Sequence, residues 1–334
     1  MRTEKRVSLR EIARLCNVSA TTVSRIANGT GSFTEETRRL VLDTMAREGY
    51  KLKDSVAEVY KPIIGCLVSD YTNEVFTDRL AVIERYFREK DVTLLTCETH
   101  RDPDLEAELA RQLHRMGAVG IIAATASVGL CDNPPPIPII YMDLLSDQII
   151  NDENAYLVSS DDYVGGQLAA QELYHKGCRK PLILNIRYVP HSANRRIQGF
   201  LHNFEEHGVH IGEERILPPD LNKSSFDSAK DLIAYHRAKG TDFDSVFACS
   251  DWRAYGALVA LRNMGARVPE DVKIIGYDGI RVSRYCDMPI TTIQQNTESL
   301  CLAVCEMMWS LINHQEVAQR QVLVPIRLQE GKTT

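Results

Sequence analysis

The chain has 334 residues, of which 44% are hydrophobic and 25% charged, and its net charge is −6. This composition is that of a folded globular protein and excludes a disordered one, while the length suits a small domain followed by two larger ones. No apolar run reaches about 18 residues and no apolar segment follows the basic N-terminus, so we expect a cytoplasmic protein without a membrane span or signal peptide.

The first 50 residues predict three short helices. Residues 8–11 (Ser-Leu-Arg-Glu) form a capping box that starts the first helix. Asn17 lies in a four-residue interruption and can adopt the left-handed conformation that a tight turn requires. Ser19 can cap a second helix over 20–28, and a third helix covers 34–48. Two short helices joined by such a turn form a helix-turn-helix, whose second helix enters the DNA major groove.

The second helix carries side chains that suit DNA. It presents short hydroxyls and one guanidinium, groups that bind phosphate oxygens and base edges. Residues 1–34 contain six Lys or Arg against two Asp or Glu, so this end is basic within an acidic chain. The alternative is a solvated helical hairpin that binds nothing. The expected DNA contacts are Ser8, Ser19, Ala20, Thr21, Thr22, Ser24, Arg25 and Asn28.

From residue 62 onward, short apolar runs alternate with amphipathic helical stretches. Such alternation predicts parallel sheets covered by helices on both faces. Two series of this kind predict two doubly wound α/β lobes, which bind ligands beyond the carboxyl ends of their strands. The predicted strands are 63–68, 92–97, 120–125 and 137–143 in the first series and 182–186, 245–250 and 272–278 in the second. The predicted helices are about 74–90, 104–116, 163–176, 193–207, 226–239 and 252–264.

Polar residues end three of these predicted strands. Asp143 ends one, Ser250 and Asp251 end another, and Asp278 ends a third. Carboxylates can bind adjacent hydroxyls of a sugar in pairs. Asp251 is better explained as a helix cap than as a ligand group. The other three are therefore candidates for ligand binding.

The nine cysteines include no Cys-x-x-Cys pair. Cys66, Cys97 and Cys249 lie inside apolar strand-like runs, as expected of reduced core residues. Cys301 and Cys305 lie one helical turn apart, but no His or carboxylate completes a metal-binding set. We therefore expect neither metal nor cofactor. The motifs of dinucleotide-binding and P-loops, zinc proteases and serine hydrolases are also absent, so we expect no catalytic residue and no enzyme.

Several short motifs occur in register over about 45 residues of the head. They are 7–13 (Val-Ser-Leu-Arg-Glu-Ile-Ala), 18–19 (Val-Ser), 22–25 (Thr-Val-Ser-Arg), 28–29 (Asn-Gly), 35–38 (Glu-Glu-Thr-Arg) and 49–50 (Gly-Tyr). Together they resemble the head of the lactose/galactose-repressor family of bacterial transcriptional regulators, and the resemblance continues to about residue 328. It implies a DNA-binding head at 1–51, a hinge at 52–62, and at 63–328 a two-lobed core of the periplasmic-binding-protein type.

The resemblance also implies three crossings of the chain between the lobes. They are expected near Asp161, Thr291 and Val322. The implied lobes are about 63–161 and 292–321 for the first, and about 162–291 and 322–330 for the second. Lobes joined in this way open and close as hinged bodies. Asp161 and Asp162 resemble a strand-end pair that we expect to be structural.

Effector-binding residues follow from the same resemblance. Arg196 matches the arginine that points into the family's cleft, and Asp278 matches an aspartate that contacts the effector. Ser250 stands where some relatives have a sugar-binding asparagine, and Phe76 matches an aromatic at the cleft wall. Together with Asp143, these residues form the expected effector site.

The hinge departs from the family pattern. Relatives follow Gly-Tyr with a proline and then a short helix whose leucine inserts into the minor groove. Here Leu52 stands at the proline position, Val56 at that of an alanine and Val59 at that of the leucine. We count Val56 and Val59 among the expected DNA contacts, although the shorter valine weakens the case for minor-groove insertion.

The sequence thus predicts a ligand-responsive regulator of transcription, and most relatives repress. A homodimer is expected because a pseudo-palindromic operator needs two heads. A sugar or sugar derivative is the favoured effector, since a purine needs a sandwich of flat side chains and only Phe76 is expected at the cleft. The alternatives are a purine- or nucleoside-responsive regulator and a cytosolic solute-binding receptor. Arg196 also leaves an anionic effector open.

Overall fold

A computed structural model describes residues 7–27, 31, 33–48, 50, 61–125, 129–130, 134–143, 149, 151–186 and 192–334. The chain divides into two compact units, Met1–Lys61 and Pro62–Thr334. None of the helices in these described ranges is long and apolar enough to cross a bilayer. Asn28, Val56 and Val59, three of the expected DNA contacts, lie outside the described residues.

The described part of the N-terminal unit is a three-helix head. Its helices are α1 (Leu9–Leu15), α2 (Ala20–Ala27) and α3 (Glu35–Arg47). The capping box of α1 is complete: the Ser8 hydroxyl accepts a hydrogen bond from the Glu11 amide, and the Glu11 carboxylate accepts one of 2.8 Å from the Ser8 amide. Asn17 has a φ of 53°, the left-handed turn that was predicted. The core of the head consists of Ile12, Ala13, Cys16, Val23, Ile26, Ala27, Val41 and Met45.

The C-terminal unit contains two sheets of six strands each. The first consists of β1 (Ile63–Val68), β2 (Thr93–Glu98), β3 (Ala118–Ala124), β4 (Ile139–Met142), β5 (Tyr156–Ser160) and β11 (Gln321–Val324). The second consists of β6 (Pro181–Leu184), β7 (Ile216–Leu217), β8 (Ser245–Ala248), β9 (Lys273–Asp278), β10 (Thr291–Gln294) and β12 (Arg327–Gln329). Their strand orders are β11-β5-β4-β3-β1-β2 and β12-β10-β9-β8-β6-β7. Neighbouring strands are parallel except β10 and β12, so the predicted doubly wound fold is confirmed.

Helices cover both faces of each sheet. They are α4 (Glu74–Arg88), α5 (Pro103–Arg115), α6 (Asp162–His175), α7 (Ser192–Glu206), α8 (Ser225–Ala238), α9 (Asp251–Asn263), α10 (Arg281–Tyr285) and α11 (Thr297–Ile312). We call the first sheet with α4, α5 and α11 lobe 1, and the second sheet with α6 to α10 lobe 2. In β1, Cys66 packs in the core under α4 and α11, whereas Leu67 packs in the core under α5. This alternation is that of a strand buried on both faces.

The chain passes between the sheets three times. The first crossing follows Ser160, where it was expected. The second follows Gln294 and the third Val324, a few residues beyond the expected positions at Thr291 and Val322. The later positions arise because β10 continues to pair with β9, and β11 with β5, through those residues.

The described cysteines are unpaired. Cys66, Cys301 and Cys305 pack together in the core of lobe 1. Burial raises the pKa of the Cys66 thiol, and the same burial raises that of Cys305. The described residues contain no cluster of three or more potential metal ligands. These thiols therefore act as small apolar packing groups.

Helices α6 and α7 touch through two glycines. A Cβ on Gly166 would lie 1.9 Å from the carbonyl oxygen of Arg196, and a Cβ on Gly199 would lie 2.0 Å from that of Tyr163. Neither position has room for a side chain, so glycine lets the two backbones meet directly. The contact holds the first turns of α7, which include Arg196, against α6.

We expect Gly199→Ala to destabilise lobe 2 by about 1–3 kcal/mol or more, because the added methyl would meet the backbone of α6. Urea unfolding of the full chain can be followed by tryptophan fluorescence, since Trp252 and Trp309 both lie in the C-terminal unit. Gln198→Ala, at an exposed position of the same helix, is the control and should change stability by less than about 0.5 kcal/mol. Identical unfolding midpoints for both variants would show that the helices do not meet at Gly199.

Candidate ligand-binding site

A cavity of about 610 Å³ lies between the two sheets, at the carboxyl ends of their strands. Lobe 1 lines it with residues that follow β1, β3 and β4, and lobe 2 with residues that follow β6, β7, β8 and β10. Parallel α/β sheets bind ligands at this edge, and the volume is that of a small-molecule site. The residues predicted from the sequence to bind an effector all lie on its wall: Phe76, Asp143, Arg196, Ser250 and Asp278.

Asp143 forms part of the wall in lobe 1. Its carboxylate accepts a 2.7 Å hydrogen bond from the Ser160 amide and a 3.2 Å bond from the Ser159 hydroxyl. The buried guanidinium of Arg79 on α4 forms an ion pair with its other oxygen. Burial alone would raise the pKa of Asp143, but the charge of Arg79 and the Ser160 bond outweigh it and lower that pKa. Asp143 is therefore an ionised anchor whose two oxygens are already engaged by the protein.

Arg196 forms part of the wall in lobe 2 and is 7% exposed. Its Nε donates to Asp162 at 3.0 Å, while Nη1 donates to the Cys249 carbonyl at 2.8 Å and to Asp278 at 3.3 Å. The guanidinium lies 3.8 Å from the centre of the Tyr277 ring, and the Tyr277 hydroxyl donates to Asp162 at 2.8 Å. These bonds use Nε and Nη1, and none of the described residues bonds to Nη2.

Two of the aspartates on the cavity wall have left-handed backbones. Asp143 has a φ of 56° and Asp278 a φ of 105°, conformations that L-residues rarely adopt. Each residue comes at the end of its strand, so the reversal turns the side chain towards the cavity instead of continuing the strand. Strained backbone of this kind concentrates at functional sites.

Gln295 joins the two lobes. It follows β10 at the second crossing, and its Oε1 accepts a 2.5 Å hydrogen bond from Arg79 of lobe 1. Its Nε2 donates to Asp278 of lobe 2 at 2.9 Å. A continuous series of hydrogen bonds therefore runs from Asp143 through Arg79, Gln295 and Asp278 to Arg196. We call these five residues the cross-lobe network.

The sequence pattern did not indicate Arg79 or Gln295. Arg79 lies on a helix where arginine usually faces solvent, yet it is 3% exposed. Its spacing along the helix could have indicated this burial, since Phe76, Ile83 and Phe87 lie on the same apolar face. Gln295 follows a strand with polar composition (Thr-Thr-Ile-Gln) that the apolar pattern did not predict.

Aromatic side chains are more numerous than expected. The expectation that only Phe76 would face the cleft was wrong, because Phe226 and Trp252 also line the cavity. Phe226 is in the first turn of α8 and Trp252 in the first turn of α9, so both lie where lobe 2 helices begin. The sequence prediction missed these two residues because it considered the ends of strands and not the first turns of the helices that follow.

Asp251 has a different role from the predicted helix cap. Ser250 occupies the N-cap position of α9, and its side chain makes no capping bond. Asp251 is the first helical residue and is completely buried; its carboxylate accepts bonds from the Thr292 hydroxyl at 2.6 Å and the Ile280 amide at 2.9 Å. Asp251 therefore ties α9 to neighbouring backbone, and Ser250 keeps its hydroxyl for the cavity.

The head buries one face of α2 and exposes the other. Val23 and Ile26 are in the head core, while Thr21 and Arg25 are exposed. Ser19 caps the helix, accepting a 3.0 Å bond from the Thr22 amide. The exposed face carries the polar groups that were predicted to contact DNA.

Comparison with protein-family models matches both units. Residues 8–52 match the bacterial regulatory proteins of the lacI family, and residues 170–334 match a periplasmic binding protein-like domain. The chain belongs to the lacI family. The predicted family is thereby confirmed, and so is the expectation that the chain is not an enzyme, because this family consists of regulatory proteins.

Relatives of the lacI family match almost the whole chain. The ribose operon repressor of Bacillus subtilis is 29% identical over 332 residues, covering 98% of each chain. The transcriptional repressor PurR of Mannheimia succiniciproducens is 26% identical over 326 residues, covering 95% of each. A lacI-family regulator of Enterococcus faecium with bound ribose has a TM-score of 0.69 at 25% identity, over 81% of this chain and 98% of that one. The lac repressor dimer bound to operator, at 21% identity and a TM-score of 0.72, covers 98% and 99% and supports the fold.

The pKa of Asp278 predicts a pH-dependent stability for this lacI-family chain. Burial raises that pKa from 3.8 to about 6, although the charges of Arg196 and Arg79 oppose the rise. The folded chain then holds a proton that the unfolded chain releases between these pH values. Stability from this group is present below about pH 4 and is lost, at about 1.4 kcal/mol per pH unit, as the pH rises to about 6.

Asp278→Asn cannot ionise, so its stability should fall less between about pH 4 and pH 6 than that of the wild type. Urea unfolding at several pH values measures both slopes. Asp70→Asn is the control: hydrogen bonds from Thr72 and the charge of Arg101 outweigh burial and lower the pKa of Asp70, so this variant should alter the slope only below about pH 4. Parallel curves for wild type and Asp278→Asn would contradict the assignment.

Proposed function

We propose that the chain is a homodimeric repressor that binds a pseudo-palindromic operator through α2, and that a sugar or sugar derivative in the cavity changes its operator affinity. The observation that carries the proposal is the cavity itself, because polar groups from both lobes meet in one ligand-sized space. A ligand that touches both lobes binds one arrangement of the lobes more tightly than another. Such differential affinity is what a switch requires.

The chemistry of the cavity favours a polyhydroxy ligand. Ser250 offers a hydroxyl, Arg196 an Nη2 that bonds to none of the described residues, and Asn73 and Thr72 further polar groups on the opposite wall. Sugar hydroxyls are recognised by such donors and acceptors, while Phe76 can cover an apolar face of the ring. The ribose operon repressors among the relatives and the ribose-bound Enterococcus faecium regulator support the same class.

A purine or nucleoside is the second candidate. Phe76, Phe226 and Trp252 supply several flat faces, and a purine stacks on such faces. The relatives that carry the name PurR add support. Binding of hypoxanthine that Phe226→Ala and Trp252→Ala abolish, with no response to any sugar, would favour this candidate over the first.

For DNA binding, we expect Arg25→Ala to weaken operator affinity by about 1–3 kcal/mol, because this exposed guanidinium on α2 would contact a base or a phosphate. Selection from random DNA first identifies the operator, and fluorescence anisotropy then gives the affinities. Arg39→Ala is the control, since Arg39 is an exposed arginine of α3 that pairs with Asp43. A selection that returns no symmetric motif would contradict the proposal that α2 recognises the operator. Equal losses of operator affinity in the two variants would contradict it as well.

For the effector response, we expect Ser250→Ala to remove most of the change in operator affinity that the ligand causes, a change of about 5- to 150-fold in coupled systems. Its operator affinity without ligand should stay that of the wild type, because the Ser250 side chain makes no capping bond that folding needs. The measurement is operator affinity with and without members of a panel of sugars, sugar derivatives and hypoxanthine. Ser299→Ala, an exposed serine outside the cavity, is the control. A full response in Ser250→Ala would place the effector elsewhere.

A further inference from the structure

Arg253 is a buried arginine without a partner in the described structure. It is the third residue of α9, it lines the cavity, and it is 1% exposed. Its Nε and Nη2 are buried and have no hydrogen-bond acceptor among the described residues. Burial lowers the pKa of Arg253 to about 10, so the side chain is still charged at neutral pH. A buried charge is normally paired, and Arg253 has no carboxylate partner among the described residues.

The other basic residues of the cavity wall all have carboxylate partners. The pairs are Arg79 with Asp143, Arg101 with Asp70 at 3.1 Å, Arg196 with Asp278 at 3.3 Å, and Lys223 with Asp220 at 3.5 Å. These four aspartates are the acidic residues of the described wall. Arg253 is therefore the one basic residue of the described wall without a carboxylate partner, although it is more deeply buried than any of the others.

Two helices begin beside this arginine on the lobe 2 wall. Ser224 and Ser225 start α8, and Ser250 starts α9; all three line the cavity. The first turn of a helix offers backbone amides and a partial positive charge, both of which favour an anion, although Asp227 of α8 and Asp251 of α9 lie in these turns and the Asp227 amide already donates to Ser224. These features and the buried guanidinium favour the same ligand charge.

We propose that the effector carries an anionic group, a phosphate or a carboxylate on a polyhydroxy framework, and that Arg253 binds this group. The proposal rests on the proposed function in taking the cavity as the effector site. A guanidinium presents its N–H groups as a planar fork that matches two oxygens of a phosphate or carboxylate. The bound anion supplies the countercharge that no carboxylate of the described wall gives to Arg253.

The proposal predicts opposite effects on the free and the liganded protein. Arg253→Met keeps the length of the side chain but removes the unpaired charge, so the free variant should melt at a higher temperature than the wild type. Inorganic phosphate should raise the melting temperature of the wild type above that in chloride of equal ionic strength, and should have little such effect on the variant. Arg262→Met, at an exposed position of the same helix, should behave as the wild type in both respects.

Matched ligands identify the anionic group. Calorimetric titration compares D-ribose with ribose 5-phosphate, and D-glucose with gluconate and glucose 6-phosphate. We expect one anionic member to bind the wild type about tenfold or more tightly than its neutral counterpart, and Arg253→Met to lose this preference. Arg253→Lys retains a charge without the fork and should keep part of the preference, which tests the role of Arg253 if the methionine variant does not fold.

Stabilisation of wild type and Arg253→Met to the same degree by phosphate would overturn the proposal, as would equal affinities for neutral and anionic partners in the wild type. A neutral sugar that binds both proteins alike and shifts operator affinity would also overturn it while leaving the proposed function intact. Conversely, an anion preference that depends on Arg253 without any effect on operator binding would support this site and count against the proposed regulatory role.

Discussion

The cross-lobe network is the interaction on which the C-terminal unit depends. Arg79 is buried, and burying an unpaired guanidinium costs several kcal/mol, so the residue is stable only with its acceptors in place. Those acceptors belong to different parts of the fold: Asp143 follows a strand of lobe 1, and Gln295 follows a strand of lobe 2. Any movement that separates the sheets at this edge breaks bonds to a buried charge. The relative position of the lobes and the geometry of the cavity wall are therefore set by the same few bonds.

Each group in the network is held by rigid structure. The backbone contact at Gly166 and Gly199 fixes α7 and with it Arg196, whose guanidinium is further held against the Tyr277 ring. The left-handed backbones of Asp143 and Asp278 turn their carboxylates towards the cavity. With an extended backbone, these residues would continue their strands instead. A site with its polar groups already positioned loses less conformational entropy when a ligand binds.

Local patterns in the sequence predicted the elements but not the long-range partners. The capping box at Ser8 and the strand ends at Asp143 and Asp278 are signals that lie within a few residues of each other, and the structure places these residues as expected. Arg79 and Gln295 are 216 residues apart in the chain, and no short pattern links them. The burial of Arg253 likewise could not be predicted from a local pattern, since a basic residue in the first turn of a helix ordinarily lies in solvent.

Under the proposed function, different residues of the one cavity recognise the ligand and respond to movement of the lobes. The bonds of Gln295 cross between the lobes, so their geometry changes when the lobes move, whatever ligand is present. Ser250 and Arg253 belong to one lobe, and the proposal assigns to the ligand those of their groups that make no capping bond or no hydrogen bond with the described residues. A ligand that bound these two residues alone would bind every arrangement of the lobes equally and shift none of them. If the proposed function holds, the ligand must therefore also reach residues of lobe 1, so that it touches both walls of the cavity.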